Sequence, residues 1–227
     1  MSVSVDDIGE KLREFVGDID PTTKKGLKRL SIIESATRMF AERGYRKTSM
    51  DELASEVGVA KGTLYLYFPK KIDLLMACGA REKLRWMPEL SGMMDADIPA
   101  VERLKQWVVS VLLLPSRSPL ISRLMNDREM AAMLADYPSD LLEESQDLYP
   151  QFMQSLLDEV AGEHRWNAVE LRDRAYALRA ISHISPMLRH EQLRPGMSEE
   201  RFAAVFADLI VDGIRPRPAP SQEEGPS

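Results

Sequence analysis

An all-α chain of two unequal parts is predicted from three observations. Strand signals are nearly absent, with no Asn-Gly hairpin turn and few alternating β-branched runs. Apolar residues recur at helical spacing almost throughout, and prolines and polar loops cut that pattern into helix-length pieces. The 227 residues, 44% of them hydrophobic, have room for one or two packed cores. Collagen-like, mucin-like and fully disordered chains are excluded. No run reaches the roughly 18 apolar residues a membrane helix needs. The longest, Trp107 to Pro115, is interrupted by Ser110. Val5 to Asp20 is acidic and lacks the apolar stretch of a signal peptide, so a cytoplasmic protein is expected. A single cysteine, Cys78, rules out a disulfide framework and Cys-pair zinc sites, and reads most simply as a small buried hydrophobe.

The elements follow in chain order. Ile8, Leu12, Phe15 and Val16 share a helical face, so residues 1–24 form either a loose arm or a short extra helix. Ile32, Ile33, Ala36, Met39 and Phe40 stripe one side of a helix that stops at Gly44. Thr48 and Ser49 offer caps for a second helix over about 49–56, and Ser49 with Glu52 makes a capping box. Beyond Gly58 a third helix covers about 60–67 and stops before Pro69. A fourth runs from Lys71 to about Met87, ahead of Pro88. Further helices are expected over about 99–114, 119–136, 139–161, 168–193 and 198–213, several ending at a proline. The divisions are thus an arm (1–24), a three-helix part (25–71), a larger helical part (72–214) and a disordered Pro-rich tail (215–227).

Charge is distributed unevenly. Residues 21–71 carry 11 basic and 5 acidic side chains, inside a protein whose net charge is −6. A local basic patch, not the total, is what phosphate contact requires. Three short helices in that stretch, with Gly58 in the tight turn, make a helix-turn-helix pattern. With Leu64 and Phe68 as the buried pair of the third helix, its other side shows Gly62 and Leu66, flanked by Thr63 and Tyr65. Lys61, Lys70, Lys71, Arg46 and Lys47 surround that ridge. Small, hydroxyl-bearing and aromatic groups inside a lysine rim suit a DNA major groove.

These residues resemble the DNA-binding segment of the TetR family of bacterial transcriptional regulators. The likeness spans residues 29–75 and rests on Gly44-Tyr45, Thr48, Leu53-Ala54, Gly58-Val59, Lys61-Gly62-Thr63-Leu64-Tyr65, Tyr67-Phe68 and Lys71. The resemblance implies that Thr48 or Ser49 meets a phosphate at the start of the second helix. It implies that Lys61 and Thr63 touch phosphate or a base edge, and that Gly62 permits close backbone approach. Tyr65 and Tyr67 would reach base or phosphate, and Lys71 would clamp a phosphate. Packing aromatics and a solvated helix start are the plainer readings for the tyrosines and lysines. Ala60 departs from the Ser frequent at its position and removes a cap. Leu66 stands where a polar or aromatic residue is frequent, and would either meet a thymine methyl or stand exposed.

The resemblance also implies a ligand-binding and dimerisation role for residues 72–214. Flexible thioethers and large aromatics can line an adaptable cavity, with Trp86, Trp107, Met125, Arg128 and Met153 as candidates, although core filling explains any one of them. Arg123 and Arg128 would suit an anionic head group if they point inward. Two wide apolar faces, one through Tyr176, Ile181 and Ile184 and one through Phe202, Val205, Phe206 and Leu209, are expected to form a homodimer interface. His183 and His190 lie seven apart and read as ordinary polar or surface histidines. No catalytic signature stands out, and no metal or cofactor is expected. A homodimeric regulator, usually a repressor in that family, is expected to bind a palindromic operator under control of a small apolar effector. The other reading is an interaction module whose helix-turn-helix packs against protein.

Overall fold

A computed structural model describes residues 4–126, 140–162, 166–188 and 190–214. Among them there is no strand. The arm does form a helix, α1 (Val5–Val16). The Ser4 hydroxyl accepts from the Asp7 amide while the Asp7 carboxylate accepts from the Ser4 amide, 2.7 Å. That reciprocal cap, with two aspartates in the first turn, explains why an acidic segment folds here. Val5, Leu12 and Val16 are buried.

The three-helix part comprises α2 (Lys24–Arg43), α3 (Met50–Val57) and α4 (Lys61–Tyr67). The predicted stripe of Ile32, Ile33, Ala36, Met39 and Phe40 is buried as one face of α2. Gly26 is required in its first turn, because a Cβ there would stand 2.1 Å from the Asp20 carbonyl oxygen. Gly58 takes the left-handed conformation (φ 72°, ψ 40°) that turns α3 into α4. The long helix α5 (Lys71–Met94) joins the two parts. It packs on α1 and α2, and the buried Cys78 thiol donates to the Ile33 carbonyl at 3.5 Å.

The larger part contains α6 (Ala100–Arg117), α7 (Pro119–Asn126), α8 (Asp140–Ala161), α9 (Ala168–Leu188), a short 3-10 turn (Glu191–Leu193) and α10 (Glu199–Ile214). Leu104, Trp107, Met153 and Leu157 anchor its core, which is continuous with that of the three-helix part. Two expected helix ends are corrected. Both α5 and α6 run through their prolines, Pro88 and Pro115. A proline costs a helix one amide bond and a local clash, and burial on the following turns outweighs this: Leu90 and Met93 are buried after Pro88, and Pro115 is itself buried. Helix 119–136 is described only to Asn126, and residues 127–139 and the tail 215–227 lie outside the described residues. The expected helix 168–193 divides at Leu188, before the 3-10 turn.

Burial pushes the Cys78 thiol up to about 12. The native protein is therefore expected to resist alkylation at pH 8 and to label at Cys78 only in denaturant. Rapid labelling of the folded chain, followed by mass spectrometry, would refute the packing of α5 on α2.

Candidate nucleic-acid interface

Helix α4 has two very different sides. Leu64 is fully buried and Phe68, the next residue of that face, is 2% exposed, both inside the core shared with Phe40, Leu53 and Leu74. On the other side Leu66 is 85% exposed and Tyr65 40%. Nothing lies within 4 Å of where a Gly62 Cβ would be. The fold therefore has no use for a glycine there, and a helical glycine costs about 0.5–1 kcal/mol relative to alanine. Thr63 and Tyr67 are half-buried at the margins. Ala60 caps α4 without a side-chain hydrogen bond, so no side chain of the cap residue engages the first amides of the helix.

Charge frames this ridge, with several ions already engaged. Lys61 at the start of α4 pairs with Asp51 on α3, Nζ to Oδ1 2.7 Å, and that contact raises its pKa. Ser49 is exposed and locked in a capping box with Glu52, whose carboxylate accepts from both the Ser49 amide and hydroxyl at 2.9 Å. Arg46, Lys47 and Lys70 are exposed.

One expected phosphate contact is corrected, and another is already engaged within the protein. Thr48 is fully buried and its hydroxyl donates to the Gly44 carbonyl at 2.9 Å, closing the loop between α2 and α3. It has no free hydroxyl for DNA. Lys71 is half-buried. Its ammonium donates to the carbonyls of Tyr45 (2.9 Å) and Thr48 (3.0 Å) and sits 4.0 Å from the centre of the Tyr45 ring. Burial lowers its pKa. Lys71 is thus a tie between α5 and the loop before α3.

The sequence reading overlooked other cations. Lys24 and Lys25 are exposed in the first turn of α2, which contains no acidic residue. Positive charge opposes the helix dipole at that end, the one signal that could have drawn attention to them. Arg29, one turn on, donates to the Tyr67 carbonyl at 3.1 Å, so this end of α2 adjoins the carboxy-terminal end of α4. Arg123, expected to meet an anionic ligand, instead donates from α7 to the carbonyls of Ala41 (3.1 Å) and Glu42 (3.3 Å) at the end of α2.

The remaining expectations fall apart in space. Trp107 and Met153 are core residues. Trp86 is half-buried, with its indole N–H enclosed and unpartnered. Arg128 and the side chains of Met125 and Ile184 lie outside the described residues. An open cleft of about 580 Å³ lies instead between α1 and α5, among Val5, Arg13, Val16, Leu84, Met87 and Pro88, and includes none of the five pocket candidates. Ile181 is buried within its own protomer and has no surface for a partner, a correction to the interface set. Tyr176, Val205 and Leu209 are exposed, and Phe202 stacks on Phe206 at 6.0 Å. The described residues include no group of three or more His, Cys, Asp or Glu able to hold a metal ion.

A buried-backed recognition helix on an all-helical two-part scaffold defines a helix-turn-helix protein. The chain matches, over residues 32–78, the family described as bacterial regulatory proteins, tetR family. It is 34% identical over 89 residues to the fatty acid metabolism regulator protein of Bacillus subtilis, covering 39% of this chain and 44% of that one. It is 30% identical over 109 residues to the HTH-type transcriptional repressor KstR of Rhodococcus jostii, covering 48% and 49% respectively. The chain thus spans less than half the length of these curated relatives. Among solved structures, AibR in complex with isovaleryl coenzyme A and operator DNA shares the fold at a TM-score of 0.62 and 20% identity, covering 80% of this chain and 97% of that one. FadR from Bacillus subtilis in complex with stearoyl-CoA does so at 0.62 and 18%, covering 81% and 98%.

Replacing Gly62 by alanine is expected to raise stability by about 0.5–1 kcal/mol, since the added methyl meets nothing. Urea denaturation measures this, and a loss of stability would show that the fold itself demands the glycine.

Proposed function

We propose that this protein is a homodimeric transcriptional regulator, a repressor, that reads a palindromic operator with α4 and responds to a small-molecule effector in the larger helical part. One observation carries the DNA-binding reading: the outer side of α4 holds an unsupported glycine, an 85% exposed leucine and a tyrosine that packing does not require. Exposed apolar surface of that kind is retained where a partner covers it. Gly62 lets a duplex approach the helix backbone, Tyr65 reaches a base edge or phosphate, and Leu66 meets a thymine methyl in the groove. Lys61, Ser49, Thr63 and Tyr67 border the contact, and Lys24, Lys25 and Lys47 supply nearby phosphate partners.

A dimer follows from reach. A seven-residue helix reads only a few base pairs, whereas two copies about 34–36 Å apart read successive major grooves. The surface that supports dimerisation is the outer side of α10. Ala203, Ala207 and Val211 turn inward, while Val205 and Leu209, 45% and 70% exposed, face out. Tyr176 on α9 adds to that exposed apolar surface. Leu209→Glu is expected to shift the protein from dimer to monomer in sedimentation analysis. An unchanged dimer would place the interface elsewhere.

Effector class is supported by the two solved relatives that hold isovaleryl coenzyme A and stearoyl-CoA, so acyl-CoA thioesters are the first molecules to titrate. A coupling of about 1–3 kcal/mol between the two sites would change operator affinity about 5- to 150-fold.

Tyr65→Ala is expected to weaken binding to an operator selected from random duplexes by about tenfold, with loss of base preference, consistent with about 1–3 kcal/mol for a base contact. Gel-shift titration at fixed salt tests it. A wild-type chain that selects no sequence above non-specific affinity would favour the interaction-module reading.

A further inference from the structure

The amino-terminal helix lies outside the segment that matches the family, which begins at Ile32. It is nevertheless firmly docked, with Val5, Leu12 and Val16 buried and the helix lying against both α5 and α8. Its carboxy-terminal end is fastened by one side chain. Arg29 of α2 donates through Nε to the Val16 carbonyl at 2.5 Å and through Nη1 to the Tyr67 carbonyl at 3.1 Å. Its guanidinium carbon lies 4.2 Å from the centre of the Phe68 ring. Val16 ends α1 and Tyr67 ends α4. Both carbonyls therefore belong to final helical turns, which have no intrahelical donor and favour a cation.

The chain is shaped to admit this joint. Gly17 leaves α1 at φ +68°, and a Cβ there would stand 2.8 Å from Arg29 Nε. Only a planar guanidinium can span two carbonyls and lie on a ring at once. A lysine ammonium is a point donor and cannot reproduce the fork.

We propose that α1 and Arg29 together position the recognition helix: the arm fixes the guanidinium, the guanidinium fixes the carboxy-terminal end of α4, and operator affinity is set in part by a helix that makes no DNA contact. This rests on the DNA-binding reading above. Arg29 is proposed as a positioning residue because Nε and Nη1 hold two helix-end carbonyls and the guanidinium lies on the Phe68 ring. Since α1 also leans on α8, a displacement in the larger part reaches α4 by this route as well as along α5.

The test uses full-length Arg29→Lys, which keeps the charge, and Gly17→Ala, which acts on the same joint from the other side and removes no charge. Glu14→Ala on α1 is the control. Three quantities are measured: affinity for an operator selected from random duplexes, affinity for an unrelated duplex, and hydrogen exchange of residues 62–68 without DNA. Arg29→Lys and Gly17→Ala are each expected to lose about tenfold in operator affinity, the size of one charge-assisted hydrogen bond. Binding to the unrelated duplex is expected to stay within about twofold, because the charge count is unchanged. Exchange in α4 should speed up, and the double variant should lose no more than the worse single one. Operator binding at the wild-type level in both variants overturns the proposal. So does a parallel fall on both duplexes, which would make Arg29 a general stabiliser or a phosphate contact. If the wild-type chain selects no operator, the DNA reading fails. Exchange then decides the joint by itself, with faster exchange in Arg29→Lys upholding it and unchanged exchange overturning it.

Discussion

Seven residues are too few to sustain a helix in water, where isolated helices shorter than about 12–15 residues are marginal. The whole arrangement depends on how α4 is held from outside itself. Leu64 and Phe68 anchor it in the core, and Val59 continues the turn by donating its amide to the Ala54 carbonyl at 2.9 Å. Anchoring by one face leaves the opposite face free of structural duties. That division of labour is what allows a glycine, a tyrosine and an exposed leucine to sit side by side there.

A common device recurs at the helix ends. Arg29 meets the last carbonyls of α1 and α4, Arg123 the carbonyls of Ala41 and Glu42 at the end of α2, and Lys71 two carbonyls of the loop that follows α2. Each cation comes from a different element, so the negative end of one helix is satisfied by its neighbour. The basic character of residues 21–71 therefore has two uses. Part of it is internal cement, and part, including Lys24, Lys25 and Lys47, remains on the surface.

Local rules made the three-helix part legible. The α2 stripe, the Ser49–Glu52 box, Gly58 and the buried Leu64–Phe68 pair all follow from neighbours within a turn or two, and all appear in the structure. The partners of Thr48 and Lys71 are fixed by tertiary closure and leave no local signal: Lys71 reaches back 26 residues to Tyr45. Pro88 and Pro115 sit inside helices for the same reason, since tertiary burial of the turns around them outweighs a local penalty. The larger part was legible as helices and not as a site. A methionine or tryptophan has the same spacing whether it lines a cavity or fills a core, and Trp107 and Met153 proved to be core. Likewise the apolar stripe through Ile181 carried no sign that its own protomer would cover it.

The pairing of Lys61 with Asp51 carries a thermodynamic corollary. A phosphate that captured this ammonium would evict a carboxylate belonging to the protein, in place of loosely held solvent anions. The eviction leaves a negative side chain close to a polyanion, and that repulsion offsets part of what the new contact gains. In the complex proposed above, such a contact would therefore add little net grip, and discrimination would fall to the uncharged ridge beside it.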